Sequence, residues 1–128
     1  MGRNKRYESN QVLLAIGKVF VEHGFEATSL NDLERGTGLL RGSLYRNFSS
    51  KRTMFELSLK EYVNYKPKSD MTLDLLLIGF QELSARDKGI RNFLKEWYDA
   101  QRSISVAEML GHRLIERSKI LHERNEGK

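Results

Sequence analysis

The sequence predicts an all-α fold of about seven helices: an N-terminal three-helix helix-turn-helix domain, a linking helix and a short helical C-terminal bundle. Apolar residues recur three and four positions apart in successive segments, which is the spacing of a buried helical face. The alternation typical of strands is not found. Glycines and a single proline separate the helical segments.

The composition fits a folded chain and excludes several classes of protein. The 128 residues are 39% apolar and 30% charged, as expected of a globular domain. Cysteine is absent, which excludes disulfides, thiol catalysis and zinc–cysteine sites. No apolar run approaches the ~18 residues that span a bilayer. We therefore expect no membrane partner and a cytoplasmic location.

The net charge of +5 is concentrated in the first 52 residues. That segment has nine Lys and Arg against five Asp and Glu, a net +4, whereas the remainder has 13 against 12, a net +1. A basic N-terminal segment favours contact with a polyanion. An ordinary solvated surface is the alternative, and composition alone does not choose between them.

The first helix is predicted from about Ser9 to His23, after a basic arm at residues 2–6. Ser9 is its predicted N-cap, and Gly24 is expected to end it. One helical face carries the apolar residues Val12, Ile16, Val19 and Phe20.

Two short helices separated by a glycine turn follow in residues 28–48, TSLNDLERGTGLLRGSLYRNF. Ser29 is the predicted N-cap of the first, and Asp32 lies at capping-box spacing. Gly38 can adopt the positive φ that a tight turn requires. This is the pattern of a helix-turn-helix, in which the second helix enters the major groove of DNA.

The second short helix, predicted over about residues 40–46, has a polar face suited to such a groove. Arg pairs with guanine and Asn with adenine, while Ser and Tyr reach phosphates. Leu44 and Phe48 are predicted to be its buried anchors. Gly42 is a poor helix former, so we attribute it to a close approach of this helix to another backbone. The residues of the polar face are Arg41, Gly42, Ser43, Tyr45, Arg46 and Asn47.

Further helices are predicted from about residue 51 to 65, over 73–84, from Ile90 onward, and after a capping box of Ser105 and Glu108. We assign residues 1–52 to the DNA-binding domain. Residues 53–128 are assigned to a linking helix and a short helical C-terminal domain. Aromatic side chains of this part are either core or the lining of an apolar ligand pocket. The pocket candidates are Phe80, Phe93, Trp97, Tyr98 and Gln101.

No catalytic residue, metal site or cofactor is predicted, so an enzyme is not expected. Three histidines are scattered along the chain. Glu108, His112 and Glu116 share one helical face and could in principle hold a metal. A solvated charged stripe is the favoured interpretation, because such stripes are common on surface helices.

The first ~65 residues resemble the TetR family of bacterial transcriptional repressors, through VLLAIGKVFVEHGFEATSLNDL and TGLLRGSLYRNFSSK. The resemblance implies a homodimer on a palindromic operator in double-stranded DNA, released when a small molecule binds the C-terminal domain. It places Thr28, Ser29 and Lys51 at phosphates. The matched family positions are Phe20, Gly24, Phe25, Thr28, Ser29, Asp32, Leu33, Gly38, Gly42, Ser43, Leu44, Tyr45, Phe48, Ser50 and Lys51.

Three residues depart from the family pattern. Leu40 stands where a Ser usually caps the recognition helix and touches DNA. Loss of the cap should cost about 1 kcal/mol, and contact with a thymine methyl is an alternative role for Leu40. Glu34 occupies a usually small position, where a carboxylate could crowd the two motif helices or repel DNA. Asn47 replaces the usual His.

The resemblance implies that residues 53–128 are a linking helix and a shortened helical regulatory and dimerisation domain. This part is shorter than the family usually has, by about two helices that form the dimer interface. The alternative function is therefore a truncated TetR-like interaction protein that heterodimerises or has lost sensing and dimerisation. An exposed patch around Phe93, Trp97 and Leu114 would favour this alternative.

Overall fold

The computed structural model describes residues 2–102 and 105–121, with side chains described from Ser9 onward. It confirms the all-α prediction: the described residues form seven α-helices and no strand. The helices are α1 Gly2–His23, α2 Leu30–Thr37, α3 Arg41–Phe48, α4 Lys51–Tyr65, α5 Asp70–Ile78, α6 Lys88–Ala100 and α7 Val106–Ser118. A π-helical turn, Gly79–Leu83, continues α5.

The chain divides into two compact units within α5, between Leu75 and Leu76. The linking helix α4 lies in the first unit because it packs along α1. The sequence placed the end of the N-terminal domain after residue 52, within the first turn of this helix. The regulatory and dimerisation role assigned to the remaining residues stays a prediction.

Helix α1 begins at Gly2 rather than at Ser9, so Ser9 lies inside the helix and the N-cap predicted there was wrong. The extension, GRNKRYES, contains no proline and several residues that favour helix, so nothing in it stops the helix. At the other end Gly24 has φ 84°, and its N–H donates to the Phe20 carbonyl at 2.6 Å. The predicted end of the helix is confirmed.

An aromatic cluster of Phe20, Phe25 and Phe55 forms part of the core of the first unit. The ring centroids are 5.7 Å apart for Phe20 and Phe25, 5.3 Å for Phe20 and Phe55, and 5.6 Å for Phe25 and Phe55. Phe20 and Phe55 are completely buried. The cluster therefore joins α1, the turn after it and α4 into one packed layer behind the helix-turn-helix.

Helices α1 and α4 approach each other closely at Gly17. A Cβ atom at this position would lie 2.4 Å from Cε2 of Tyr62. The Tyr62 ring is held in place because its hydroxyl donates to the Leu14 carbonyl at 2.7 Å. Burial raises the pKa of the Tyr62 phenol. Only glycine fits at position 17 without moving the tyrosine.

In the second unit, α6 has the amphipathic character that the sequence predicted. Its apolar residues Ile90, Leu94 and Trp97 are buried. The Asp87 carboxylate caps the helix by accepting a hydrogen bond from the Ile90 N–H at 2.9 Å. Phe80 of the π-helical turn meets Trp97 edge to face, with centroids 6.3 Å apart. This aromatic pair packs as part of the core of the second unit.

Helix α7 begins as predicted, with the Ser105 hydroxyl oxygen accepting a hydrogen bond from the Glu108 N–H at 3.3 Å. Its first residue, Val106, is buried. Further along, Leu114 and Ile115 are 40% and 48% exposed. Within the described ranges, no helix is both long enough and apolar enough to cross a membrane.

Candidate nucleic-acid interface

Helix α2 begins with the predicted capping box. The Ser29 hydroxyl accepts from the Asp32 N–H at 3.0 Å, and the Asp32 carboxylate accepts from the Ser29 N–H at 2.8 Å. The hydrogen bond from the Ser29 N–H, and then that with its side chain, hold the pKa of Asp32 below its usual value. Two N–H groups that the helix leaves unpaired are thereby satisfied, and the start of α2 is fixed.

The turn from α2 to α3 depends on Gly38, as predicted. Gly38 has φ 76° and donates its N–H to the Glu34 carbonyl at 2.9 Å. The Thr37 hydroxyl donates to the Leu33 carbonyl and accepts from the Leu39 N–H, at 2.7 and 3.1 Å. These bonds set the direction in which α3 leaves the turn.

Helix α3 presents the predicted polar face to the surface of the first unit. Leu44 is completely buried and Phe48 is 6% exposed, so both predicted anchors are confirmed. The opposite face is a surface on which Arg41, Gly42, Tyr45, Arg46 and Asn47 are exposed and Ser43 is partly exposed. The side chains of Tyr45 and Arg46 make no hydrogen bond or ion pair with any residue that the structure describes, so both are free for a ligand.

The N-terminus of α3 is capped by a residue that the sequence did not suggest. Leu40 occupies the N-cap position and offers no side-chain hydrogen bond. The Glu34 carboxylate of α2 instead accepts from the Arg41 N–H at 2.6 Å. Glu34 thus reaches a helix end that lacks its usual cap instead of crowding the two motif helices. Repulsion of DNA, the other effect considered for Glu34, stays a prediction.

Arg41 is held against α2. Its Nη2 donates to Oδ1 of Asn31 at 3.1 Å, and its Nε lies 3.8 Å from Oε2 of Glu34. In this geometry the guanidinium is half-exposed and already partnered, so it differs from the unpaired Arg46 on the same helix. Asn31 is a second residue of this site that sequence reasoning missed.

Gly42 and Asn47 complete the face. The Asn47 side-chain amide donates to the Ser43 carbonyl at 2.9 Å, within the helix. At Gly42, a Cβ atom would meet no other element of the described chain within 4 Å. The close approach that we inferred for Gly42 therefore has no partner within the described chain, and an approach to an external ligand stays a prediction.

Thr28 does not lie at the surface, which contradicts the phosphate contact implied for it. Its side chain is 2% exposed, and its hydroxyl donates to the Gly24 carbonyl at 2.5 Å. A buried hydroxyl that already has its acceptor cannot reach a phosphate. Thr28 instead fixes the turn between α1 and α2. Ser29, one position on, is exposed but engaged in the capping box.

Lys51 also stabilises the turn between α1 and α2. Its Nζ donates to the Thr28 carbonyl at 2.9 Å and to the Glu26 carbonyl at 3.3 Å, and lies 4.8 Å from the centroid of the Phe25 ring. These contacts tie the start of α4 to the turn before α2. Ser50 is the N-cap of α4, since its hydroxyl accepts from the Thr53 N–H at 3.1 Å. A phosphate contact for Lys51 stays a prediction.

The candidate ligand-pocket residues lie in the second unit, outside two grooves that the first unit contains. Tyr98 is 55% exposed, and the Gln101 amide donates to the Trp97 carbonyl at 3.0 Å. A groove of about 440 Å³ lies in the first unit beside residues such as Leu39, and a smaller one of about 180 Å³ lies beside His23. Neither groove contains any of these five residues. Tyr98 lies on the outer face of α6, and a ligand role for it stays a prediction. A ligand role for Phe80, Phe93, Trp97 and Gln101 stays a prediction.

The helical stripe of Glu108, His112 and Glu116 does not form a metal site. Across residues 2–102 and 105–121, no group of three His, Asp or Glu side chains is placed to hold a metal ion. His112 and Glu116 are exposed, as expected of a solvated stripe.

The fold and the site together define the class of the first unit, which is a helix-turn-helix domain with α3 as its exposed second helix. Residues 12–57 match the family model of bacterial regulatory proteins, tetR family. Over these residues the chain is similar to this family, in agreement with the resemblance in its motifs.

Three HTH-type transcriptional regulators are similar to about half of this chain. The chain is 42% identical over 66 residues to the HTH-type transcriptional regulator YezE of Bacillus subtilis, covering 52% of this chain and 34% of YezE. It is 38% identical over 63 residues to the HTH-type transcriptional repressor ComR of Escherichia coli, covering 49% and 30% of the two chains. It is 32% identical over 66 residues to the icaADBC HTH-type negative transcriptional regulator IcaR of Staphylococcus aureus, covering 45% of this chain and 36% of IcaR.

The matched segment spans about a third of the length of each of these relatives. No solved structure matches the chain.

Proposed function

We propose that this protein is a sequence-specific DNA-binding transcriptional regulator that places α3 in the major groove of duplex DNA. The observation that carries the proposal is the outer face of α3, on which the Tyr45 and Arg46 side chains are exposed and unpartnered. Leu44 and Phe48 anchor the opposite face, so the helix can dock as a rigid body. The basic first half of the sequence supports the same partner.

Repression is the mode of regulation that we propose, at a palindromic operator bound by a homodimer in the cytoplasm. ComR is named a repressor and IcaR a negative regulator, which supports this choice. A symmetric dimer would present two copies of α3 about 34–36 Å apart, one turn of DNA. Release by an apolar small molecule bound in the second unit is part of the proposal, with Trp97 among the candidate residues.

Binding to DNA is tested by fluorescence anisotropy with labelled duplexes over a series of salt concentrations. We expect affinity to fall steeply with salt, because bound phosphates release counterions. Arg46→Ala should weaken binding to all sequences and make the salt slope shallower by about one for each phosphate that the arginine neutralises. Lys88→Ala, which removes an exposed cation at the start of α6, is the control for net charge. Equal affinities of the two variants and the unmodified chain would contradict the role of α3.

A second candidate function is an interaction protein that pairs with another TetR-like chain, and the surface of α7 favours it. Leu114 and Ile115 on α7, with Ile120 and Leu121 beyond it, are 40–54% exposed. An apolar surface of this kind commonly marks an interface with a protein. Light scattering after size-exclusion chromatography separates the candidates. A homodimer supports the repressor, whereas a monomer that dimerises only with a second TetR-like chain supports the interaction protein.

A further inference from the structure

We propose that Leu40 determines operator specificity by contacting the 5-methyl group of a thymine, and that Glu34 makes this possible by capping α3 in its place. The inference rests on the proposed function, since it assumes that α3 enters the major groove. It assigns separate roles to two residues that depart together from the family pattern.

The first step concerns the helix cap. The hydrogen bonds of α3 begin at Leu40, whose carbonyl accepts from the Leu44 N–H at 3.0 Å. The first N–H groups of a helix need an acceptor from outside it, and a side chain at the N-cap usually provides one. Here the Glu34 carboxylate binds the Arg41 N–H at 2.6 Å. Position 40 is thereby relieved of the need for a polar side chain.

The second step concerns what Leu40 does instead. Its side chain is 76% exposed, so it contributes little to the core. It lies at the N-terminus of the second motif helix, the end from which base edges are usually contacted. An isobutyl group forms no hydrogen bond with a phosphate or a base. The apolar group that a base presents in the major groove is the thymine methyl, so this is the partner that fits Leu40.

The third step concerns Arg41, the next residue. The side-chain Oδ1 of Asn31, 3.1 Å from Nη2, and the Glu34 carboxylate, 3.8 Å from Nε, draw its guanidinium toward α2. The same ion pair places a positive charge beside the Glu34 carboxylate, which lowers its repulsion of DNA. The Glu34 carboxylate can therefore cap the end of α3 that faces DNA. Leu40 stays exposed at the same helix end.

The test begins with selection of preferred duplexes from a random pool by the unmodified protein. Each thymine of the selected site is then replaced by deoxyuridine, which removes only the 5-methyl group. We expect one position in each half-site at which this replacement lowers affinity about fourfold, the effect of one buried methyl group. Leu40→Ala should bind thymine and deoxyuridine duplexes equally at that position, while other thymines keep their effects.

Two variants distinguish the capping of α3 by Glu34 from the contact of Leu40 with thymine. Glu34→Ala should lower the Tm by about 4 °C, because α3 loses its cap. Adding Leu40→Ser should restore the Tm, because serine can cap the helix, but the preference for thymine should disappear. Selective duplex binding in which Leu40→Ala keeps the full thymine preference would overturn this inference and leave the proposed function intact. Failure to select any duplex would overturn both.

Discussion

Gly42→Ala is expected to make the first unit more stable and its binding to DNA weaker. Gly42 lies within α3, does not have positive φ, and has no neighbour within 4 Å of an added Cβ atom. Alanine restricts the unfolded backbone and favours helix, so the free energy of unfolding should rise by about 0.5–1 kcal/mol. Nothing within the described chain opposes this gain.

The effect on DNA binding has the opposite sign. A glycine on the exposed face of α3 allows the helix backbone to come close to a DNA strand. A methyl group inserted into a tight contact typically costs about 1–3 kcal/mol, which corresponds to a roughly five- to 150-fold loss of affinity. The same methyl group is thus expected to raise the stability of the first unit and to lower its affinity for DNA. Because the two changes are opposite in direction, a loss of affinity cannot be caused by a loss of folding.

Gly111→Ala is the matched control, since Gly111 lies in α7 and also has no neighbour within 4 Å of an added Cβ atom. Thermal unfolding should show that both variants are stabilised, and anisotropy should show that only Gly42→Ala binds DNA more weakly. Light scattering checks that the oligomeric state is unchanged in both. If Gly42→Ala bound DNA as tightly as Gly111→Ala, the close approach of α3 to DNA would be refuted.

Phe55→Ala is expected to destabilise the first unit by about 3–5 kcal/mol, the usual cost of removing a buried phenylalanine. Phe55 is completely buried, and its ring meets both Phe20 and Phe25 edge to face. The stability of a small domain is about 5–15 kcal/mol, so this single change removes a large part of it. The turn before α2 should also loosen, because Phe25 loses the ring that it packs against.

Urea unfolding followed by circular dichroism measures this effect. Leu57→Ala, on the same helix but 36% exposed, is the control and should change stability by about 1 kcal/mol or less. Phe55→Leu, which keeps an apolar side chain in the cluster, should give an intermediate loss. A loss below about 1.5 kcal/mol for Phe55→Ala would mean that the aromatic cluster is not the centre of this core.

Local patterns in the sequence predicted most of the helices. The capping box of Ser29 and Asp32, the positive φ of Gly38 and the burial of Leu44 were all predictable because each depends on residues a few positions apart. The start of α1 was not, since Ser9 looks like an N-cap although nothing before it stops a helix. A residue that can cap a helix does not by itself make the helix begin at that position.

The roles of individual site residues were harder to predict. The motif at residues 28–48 identified the surface, yet the sequence did not show that Thr28 is buried or that the Lys51 ammonium is bound to the Thr28 and Glu26 carbonyls. These interactions join residues up to 25 positions apart. Spacing along one helix carries no information about them.

The sequence by itself determined that the chain is all-α and which face of the second motif helix is exposed, because helical periodicity and glycine turns are local properties. Only the tertiary structure decided which polar groups on that surface are free. Arg41 is held by Asn31 and Glu34, whereas Arg46 has no partner among the described residues. The angle between α2 and α3 brings Glu34 to the N-terminus of α3, and that angle is set by packing around Leu33 and Leu44 rather than by any pattern along the chain.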